Sequence, residues 1–364
     1  MKVRLLFLVF LLCSSCSATS KVADVIAVDD ALPTATLSSV GMDTTYLNNV
    51  DRKISQEKKH KIHSMLVARN GKLVFEKYYN GFGRNNPHDL RSATKSITSL
   101  LTGIAVEKGL LSGVDEPMMT HLKGDYPAIN DKDEILLKHL LTMRSGLDCH
   151  DGDRKTRGQE DRMYRSRDWV DYFLSLSNTY APGDSTRYCT GGVVALGEVI
   201  AQAAKQDFAQ YADHALFEPL GITNYRWARF DDEKKVDTGG HLMLTPQGMV
   251  KIGMLVAQKG KWAGNQIVPQ QWVEESTQKH TAIDGNPYGY LWWINEPQFG
   301  DEVVEIISAR GNGGQVIFVV PDFDLVTVFT AGYYNSDQTR VVYDIFFNAV
   351  LPSLNALKPY FVKP

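Results

Sequence analysis

An apolar run with helical periodicity, residues 96–111 (SITSLLTGIAVEKGLL), begins directly after a serine and a lysine. Its apolar residues recur every three or four positions, which predicts a helix that buries most of its surface in a core. Gly109 is a stop signal near the end of the run. Ser92 is therefore expected at the N-terminal end of a buried helix, with Lys95 on the same face.

Ser92 and Lys95 form a Ser-x-x-Lys pattern, which can make a nucleophile with its own activating base. The positive end of a helix also favours a developing oxyanion. The pattern occurs a second time, at Ser55 and Lys58, in a charged stretch where an exposed helix face is expected. A helix-capping serine followed by an exposed lysine explains residues 92–95 equally well. The pattern alone is therefore not decisive.

Two later segments add context to this pattern. Residues 182–192 (PGDSTRYCTGG) precede an apolar helical run, and residues 308–315 (SARGNGGQ) lead into an apolar strand. In this order, the three elements resemble the serine β-lactamase and penicillin-binding-protein-like hydrolases. The resemblance is closest to the class C-like branch, which includes carboxylesterases and 6-aminohexanoate-dimer hydrolases. Three more segments are similar to later blocks of that family: residues 140–147, 239–246 and 288–293.

The resemblance implies a serine hydrolase that cleaves an ester or amide through an acyl-enzyme. Ser92 would be the nucleophile, and Lys95 and Tyr188 would be general base and acid, with the choice of base left open. The backbone N–H groups of Ser92 and Gln315 would form the oxyanion hole. The implied partner is a small-molecule, ester or short peptide substrate, with no metal and no organic cofactor. The substrate-binding residues implied by the motif positions are Thr190, Asn312, Gly313 and Gly314.

Two of these positions depart from the family pattern. Thr190 stands where asparagine is usual, and Asn312 stands where lysine or histidine is usual. Arg310 either compensates for the missing charge or points to the opposite face of its strand. These departures lower the expectation of β-lactamase or D-peptidase activity. They also keep open a non-catalytic or single-turnover sensor on the same fold.

The pattern of elements predicts an α/β (α+β) fold. It would be an α/β/α sandwich whose antiparallel sheet combines N- and C-terminal segments, with a helical insertion at about residues 112–235. Asn70-Gly71 predicts a β-hairpin turn. The hydrolase domain is expected at residues 61–354, after a polar leader of little periodicity. Further expected segments are strands at residues 303–308, 315–320 and 325–331, an amphipathic helix at 248–259, the leader at 19–60 and a tail at 355–364.

The first 18 residues are typical of a secretory signal peptide. Two basic residues precede a short apolar run and then small residues up to Ala18. The run is too short to span a bilayer as a mature helix. Cleavage after Ala18 is favoured over a lipid anchor at Cys16, because Cys13 fits the lipoprotein pattern poorly. The sequence therefore predicts an exported protein, periplasmic or secreted, with a lipid anchor as the weaker alternative.

Export bears on Cys149 and Cys189, the two cysteines outside the signal segment. Cys189 adjoins Tyr188, and Cys149 follows a block that borders the active site in the resembled family. In an oxidising compartment these thiols are candidates for a disulfide, which we favour over two buried free thiols.

The charge balance bears on the class of partner. The net charge of −3 does not indicate the basic surface that is typical of nucleic-acid-binding proteins. No His and Cys residues are spaced as a metal-ligand set. Oligomeric state is not predicted by these features.

Overall fold

The computed structural model describes residues 32–357 and Tyr360. The predicted signal peptide and Cys16 lie outside these described residues. Within them, no helix has the length and apolar character needed to cross a bilayer. The helices are α1 (Thr44–Gln56), α2 (Thr94–Glu107), α3 (Met119–Leu122), α4 (Leu137–Leu141), α5 (Glu160–Met163), α6 (Trp169–Leu174), α7 (Thr190–Ala204), α8 (Phe208–Ala212), α9 (Pro246–Ala257), α10 (Gln270–Ser276), α11 (Arg340–Ile345) and α12 (Leu351–Ser353).

The strands are between two and eight residues long. They are β1 (Ile62–Arg69), β2 (Lys72–Tyr78), β3 (His88–Asp89), β4 (Tyr225–Trp227), β5 (Arg229–Phe230), β6 (Lys235–Val236), β7 (Leu242–Leu244), β8 (Lys261–Trp262), β9 (Asn265–Gln266), β10 (Thr281–Ile283), β11 (Asn286–Tyr288), β12 (Trp293–Asn295), β13 (Gln298–Phe299), β14 (Glu302–Val303), β15 (Ile306–Gly311), β16 (Gln315–Val320) and β17 (Leu325–Ala331).

The main sheet joins the two ends of the chain. Its eight strands run in the order β10-β11-β12-β15-β16-β17-β1-β2, and neighbouring strands are antiparallel. β1 pairs with β17, so that Met65 faces Phe329. α3 to α8 lie in the chain between β2 and the C-terminal strands. This architecture confirms the expected mixed fold, with its antiparallel sheet assembled from distant segments.

The hairpin between β1 and β2 forms at the predicted position. Asn70 and Gly71 both adopt left-handed backbone angles, with φ of 51° and 70°. Two successive positive φ values match the twist of the strands that they connect, as in a type I′ turn. Local turn chemistry therefore sets the register of this strand pair.

Both faces of the sheet are covered. Every residue of β16 is buried, and its side chains alternate between two separate cores. Ile317 and Val319 pack in the core that contains the apolar residues of α2 and α9. Val316 and Phe318 pack on the other side, where Phe318 stacks on Phe346 with ring centroids 4.0 Å apart. Burial on both faces explains why β16 is apolar throughout after Gln315.

α1 differs from the expected irregular leader at residues 19–60. The Asp43 side chain accepts a hydrogen bond from the Thr45 N–H at 2.9 Å and so caps the helix. Leu47 and Ile54 are buried in the same core as Phe318. The strongly polar outer face of the helix obscures this narrow apolar stripe in the sequence.

α9 forms near the expected position, but it is not amphipathic. Eleven of its twelve residues are buried, because it lies between the sheet and the helical region. Its polar side chains are buried with partners: Lys251 Nζ donates to the Gly221 carbonyl at 2.8 Å, and Gln247 Nε2 donates to Glu76 at 2.8 Å. Because α9 is enclosed on all sides, it has no solvent-exposed face, although its polar residues suggest one.

Gly253 in α9 has no room for a side chain. A Cβ there would lie 2.4 Å from Val326 Cγ1 and 2.9 Å from Ile317 Cγ2 in the sheet below. We expect Gly253→Ala to lower the free energy of unfolding by about 1–3 kcal/mol through overpacking. Urea unfolding measures this, with Gly124→Ala as control because nothing lies within 4 Å of a Cβ at that position. Equal losses in the two variants would contradict this packing.

Candidate active site

Ser92 lies in a short turn that leads directly into α2. The turn spans Arg91–Ala93, and α2 begins at Thr94. Arg91 has a φ of 51°, a left-handed conformation that is strained for a residue with a side chain. Its N–H donates to Asp89 Oδ1 at 2.8 Å, which holds the bend. This geometry leaves Ser92 partly exposed at the start of a helix that is otherwise almost wholly buried.

Lys95 is buried directly beneath Ser92. Its side chain is 1% exposed, and its Nζ donates to Ser92 Oγ at 3.1 Å and to the Gly239 carbonyl at 2.5 Å. Burial alone lowers the pKa of a lysine, but the negative charge of Tyr188, followed by those of Asp151, Glu160 and Asp237, outweighs that effect and raises the pKa of Lys95. Lys95 is therefore an ammonium ion at neutral pH. The second Ser-x-x-Lys pair, Ser55 and Lys58, is exposed as expected.

Tyr188 lies beside Lys95, just before α7. The centroid of its ring is 5.1 Å from Lys95 Nζ. The ring also stacks against Trp293, with centroids 6.1 Å apart. Trp292 is fully buried in the core, so the two adjacent tryptophans have different environments. The sequence-predicted trio of Ser92, Lys95 and Tyr188 is brought together in one place.

The predicted disulfide between Cys149 and Cys189 is present in the structure. It crosses from the loop before α5 to the residue that follows Tyr188. Beside it, the Asp151 N–H donates to the Tyr188 carbonyl at 2.9 Å. The covalent link and the hydrogen bond together fix the backbone of Tyr188.

Thr190 is fully buried and does not line the cavity beside Ser92. Its N–H donates to both carboxylate oxygens of Asp151, at 3.1 and 3.0 Å, and its hydroxyl donates to Asp151 Oδ2 at 2.6 Å. Asp151 is the residue that borders the cavity at this point. Thr190, which stands where the family usually has asparagine, therefore binds a carboxylate.

The Asn312-Gly313-Gly314 turn closes the β15–β16 hairpin, in which Gly311 faces Gln315. Gly313 and Gly314 have φ of 93° and 96°, a region that favours glycine. The Gln315 side chain is locked between strands: its Nε2 donates to the Ala331 carbonyl at 2.6 Å, and its Oε1 accepts from the Ala331 N–H at 3.1 Å. This anchoring fixes the backbone at the predicted oxyanion residue.

β15 approaches the turn that carries Ser92 very closely. A Cβ at Gly311 would lie 2.0 Å from the Leu90 carbonyl oxygen. Only glycine permits this contact. It sets the end of the β15–β16 hairpin, where Gln315 lies, against the start of α2.

Arg310 does not replace the missing charge at Asn312. Its guanidinium lies 5.6 Å from the ring of Tyr343 in α11, and its partner in the β15–β16 ladder is Val316, which packs in the core on the far side of the sheet. Its Nε donates to Ser308 Oγ at 2.8 Å. Of the two expectations for Arg310, the one that places it on the opposite face is confirmed.

A cavity of about 420 Å³ opens beside Ser92. It is strongly polar, and Asn312 lines one wall, where its Nδ2 donates to Asn335 Oδ1 at 2.7 Å. Acidic and basic side chains both reach it, so a substrate would meet charges of both signs. The charged residues and the histidine that line it are Arg91, Asp151, Arg154, Glu160, Asp161 and His241.

His241 connects two walls of this cavity. Its Nδ1 lies 2.8 Å from Asp89 Oδ2, and Arg91 Nη1 lies 3.1 Å from the same ring nitrogen. The hydrogen bond to Asp89 raises the pKa of His241. This cluster joins the segment before Ser92 to the segment that follows Gly239.

Two acidic residues near Lys95 carry no motif signal and were missed in the sequence. Burial raises the pKa of both Asp151 and Asp237 to about 6, although the charge of Lys95 opposes the shift. Asp237 is fully buried, and its Oδ1 accepts from the N–H groups of Gly239 and Gly240 at 3.1 and 2.9 Å. Isolated acids in loops give no periodic or spacing pattern from which burial could be predicted.

A family model described as Beta-lactamase matches residues 50–344. The chain belongs to the beta-lactamase family. The 6-aminohexanoate-dimer hydrolase of Paenarthrobacter ureafaciens is 20% identical over 306 residues, which cover 75% of this chain and 73% of the relative. The family resemblance found in the motifs is thereby confirmed.

Solved structures of this beta-lactamase family share the fold at low identity. EstCE1, a hydrolase with promiscuous acyltransferase activity, aligns with a TM-score of 0.67 at 15% identity, over 89% of this chain and 99% of that one. The class C β-lactamase from Rhodobacter sphaeroides aligns with a TM-score of 0.62 at 16% identity, over 84% and 100%. The family is one of serine hydrolases that covers esterases, amidases and β-lactamases.

The disulfide closes a loop of 40 residues around this beta-lactamase-family site. Constraining a loop of that length in the unfolded chain contributes about 2–4 kcal/mol. We expect the Cys149→Ser/Cys189→Ser double variant to lose that much free energy of unfolding in urea. Reduction of the wild type should produce the same loss and should leave the double variant unchanged. A double variant as stable as the oxidised wild type would contradict a stabilising role.

The charge of Asp237 should destabilise the fold at neutral pH. Because burial raises its pKa from 3.8 to about 6, the folded state holds the proton more tightly than the unfolded state, and the penalty is relieved as pH falls below 6. We expect Asp237→Asn to raise the free energy of unfolding by up to about 3 kcal/mol at pH 7.5. The gain should shrink progressively towards pH 4. Urea unfolding across this range measures it, and a gain independent of pH would contradict a charge effect.

Proposed function

We propose that this protein is an exported serine hydrolase that cleaves an ester or amide through an acyl-enzyme on Ser92. The observation that carries the proposal is the 3.1 Å contact between Lys95 Nζ and Ser92 Oγ at the start of a buried helix. A serine at this position is partly exposed to the cavity and activated from below.

The proton of Ser92 needs a base other than Lys95. Nearby charge raises the pKa of Lys95, and its ammonium already donates to Ser92 Oγ. We therefore assign the role of base to Tyr188, with Lys95 stabilising the phenolate that accepts the proton. This assignment chooses between the two bases that the sequence leaves open.

The reaction would then follow a two-step acyl transfer. Ser92 Oγ attacks the substrate carbonyl while Tyr188 takes its proton, and the N–H groups of Ser92 and Gln315 stabilise the oxyanion. Collapse of the tetrahedral intermediate expels the alcohol or amine, which receives the proton back from Tyr188. A water molecule then attacks the acyl-enzyme and gives its proton to the same base. Collapse of the second tetrahedral intermediate returns that proton to Ser92 Oγ and releases the acid.

An ester or amide without a terminal carboxylate fits the Asn312 end of the cavity best. Asn312 offers no positive charge, and Arg310 lies on the far face of the sheet. A β-lactam carboxylate or a peptide C-terminus would therefore lack its usual partner there. The name of one relative, a 6-aminohexanoate-dimer hydrolase, also supports hydrolysis of a substrate other than a β-lactam.

Export is supported by the signal-like first 18 residues and by the disulfide. Cleavage after Ala18 gives a soluble product in the periplasm or medium. A lipid anchor at Cys16 is the alternative outcome of processing. Mass spectrometry of the mature N-terminus separates the two.

Ser92→Ala should abolish turnover of p-nitrophenyl butyrate while leaving the fold intact, because Ser92 lies at a helix start and outside the core. We expect the steady-state rate to fall about a thousand-fold or more. Ser55→Ala is the matched control, since it removes the serine of the exposed second Ser-x-x-Lys pair. Its rate should equal that of the wild type.

The same assay separates the alternatives. Equal hydrolysis by wild type and Ser92→Ala would mean that the nucleophile is wrong. A single stoichiometric burst from wild type, without further cycles, would favour the single-turnover sensor.

A further inference from the structure

Two aspartates outside the sequence motifs approach Lys95 from different parts of the chain. Asp151 lies in the loop before α5, and Asp237 directly follows β6. After Tyr188, the charges that raise the pKa of Lys95 are those of Asp151, Glu160 and Asp237. Neither aspartate has a step in the proposed acyl transfer.

Asp237 fixes the carbonyl that receives Lys95. Its Oδ1 accepts from the N–H groups of Gly239 and Gly240, which bends the backbone, and the Gly239 carbonyl then accepts from Lys95 Nζ at 2.5 Å. Its Oδ2 is buried with no hydrogen-bond partner among the described residues. A buried carboxylate oxygen without a partner destabilises a fold. A structural cap alone could use a neutral asparagine, so the charge itself needs another reason.

Asp151 is held rigidly on the other side. Both of its oxygens accept from the Thr190 N–H at the start of α7, and Oδ2 also accepts from the Thr190 hydroxyl. The positive end of this helix favours the ionised carboxylate. Its own N–H is bonded to the Tyr188 carbonyl, and Cys149 two residues earlier is in the disulfide. The carboxylate is thus fixed relative to Tyr188.

The charges around Lys95 oppose a large desolvation effect. Burial is the strongest influence on this lysine, and by itself it would favour the neutral amine. A neutral Lys95 could neither stabilise a Tyr188 phenolate nor hold Ser92 Oγ by a charge-assisted hydrogen bond. The charges that favour the ammonium are that of Tyr188, followed by those of Asp151, Glu160 and Asp237.

We propose that Asp151 and Asp237 are positioning residues that both favour the ammonium form of Lys95. Asp237 sets the Gly239 carbonyl that receives Lys95 Nζ, and Asp151 holds the backbone of Tyr188 beside it. This role deepens the proposed serine-hydrolase function and rests on it. It explains why the chain retains an aspartate at position 237 at a cost in stability. It also explains why Thr190 binds a carboxylate where the family usually has an asparagine.

Other titratable groups also face these two carboxylates. Glu160 in α5 and Tyr288 in β11 interact with Asp151. His241 interacts with Asp237, and Tyr164 interacts with both. The effect of each carboxylate on the titration of Lys95 is therefore measured in single variants as well as in the double variant.

The direct test is the titration of the Lys95 side chain, followed by NMR in protein labelled at lysine Cε and Nζ and assigned with Lys95→Ala. Asp151→Asn and Asp237→Asn each remove one charge and keep an oxygen that can accept the same N–H groups. We expect the proton affinity of Lys95 to fall at least tenfold in the double variant and by less in each single variant. Asp161→Asn is the control, because Asp161 is an exposed acid on the same cavity. It should leave the titration of Lys95 unchanged.

The activity readout is the alkaline limb of the pH profile of kcat/KM for p-nitrophenyl butyrate. It should move to lower pH in Asp151→Asn and Asp237→Asn, in step with the titration of Lys95, and it should not move in Asp161→Asn. If the aspartate variants lose activity while the alkaline limb of kcat/KM stays where it is in the wild type, the aspartates have only a structural role. That result would overturn the proposal. Thermal melts identify any variant that fails to fold. If one of the two single variants does not fold, the pH profile of the other tests the proposal.

The outcomes for the site and for this inference are separable. A Lys95 titration that is unchanged in the folded aspartate variants, or that lies below neutral pH in the wild type, would overturn the inference whatever the enzyme hydrolyses. Equal hydrolysis by wild type and Ser92→Ala would instead overturn the assignment of Ser92, while the NMR titration would still decide the charge state of Lys95.

Discussion

The burial of one ammonium group organises the whole site. Lys95 is 1% exposed, and an unpaired charge at that depth would cost several kcal/mol or more. Its partners cannot come from α2 alone, because helix neighbours supply only Ser92. The Gly239 carbonyl is 144 residues away in sequence, and the compensating carboxylates, Asp151 and Asp237, come from two further loops. Folding must therefore bring several distant segments to one helix end before this lysine can be buried.

The sheet and one covalent link hold those segments in place. On one side, β15 approaches so closely that only glycine fits at position 311 against the Leu90 carbonyl, which fixes the β15–β16 hairpin beside Ser92. On the other side, the Cys149–Cys189 disulfide ties the loop of the helical region to the segment that carries Tyr188. Groups that must act together are thus attached to elements that are themselves immobilised, as preorganised electrostatic stabilisation requires.

Much of the fold could be predicted where local chemistry suffices. The Asn70-Gly71 turn, the helix after Ser92 and the apolar strands β16 and β17 follow from turn preference and hydrophobic period alone. Prediction was weaker where burial depends on what packs against an element. α1 was missed because its polar face dominates its composition, and α9 was expected to be amphipathic although both of its sides are enclosed. The elements that pack against these two helices are not visible in a local window of sequence.

For the site, the sequence by itself determined which reactive groups are available: the Ser92 and Lys95 pair at a helix start, Tyr188 in the second motif and the glycines of the β15–β16 turn. Their order along the chain is enough for this, because each motif is a short local pattern. Only the tertiary structure decided the charge state of Lys95 and the direction of Arg310. Those depend on carboxylates and strand faces contributed from far along the chain, and long-range electrostatics and side-chain direction are set by packing rather than by any local pattern.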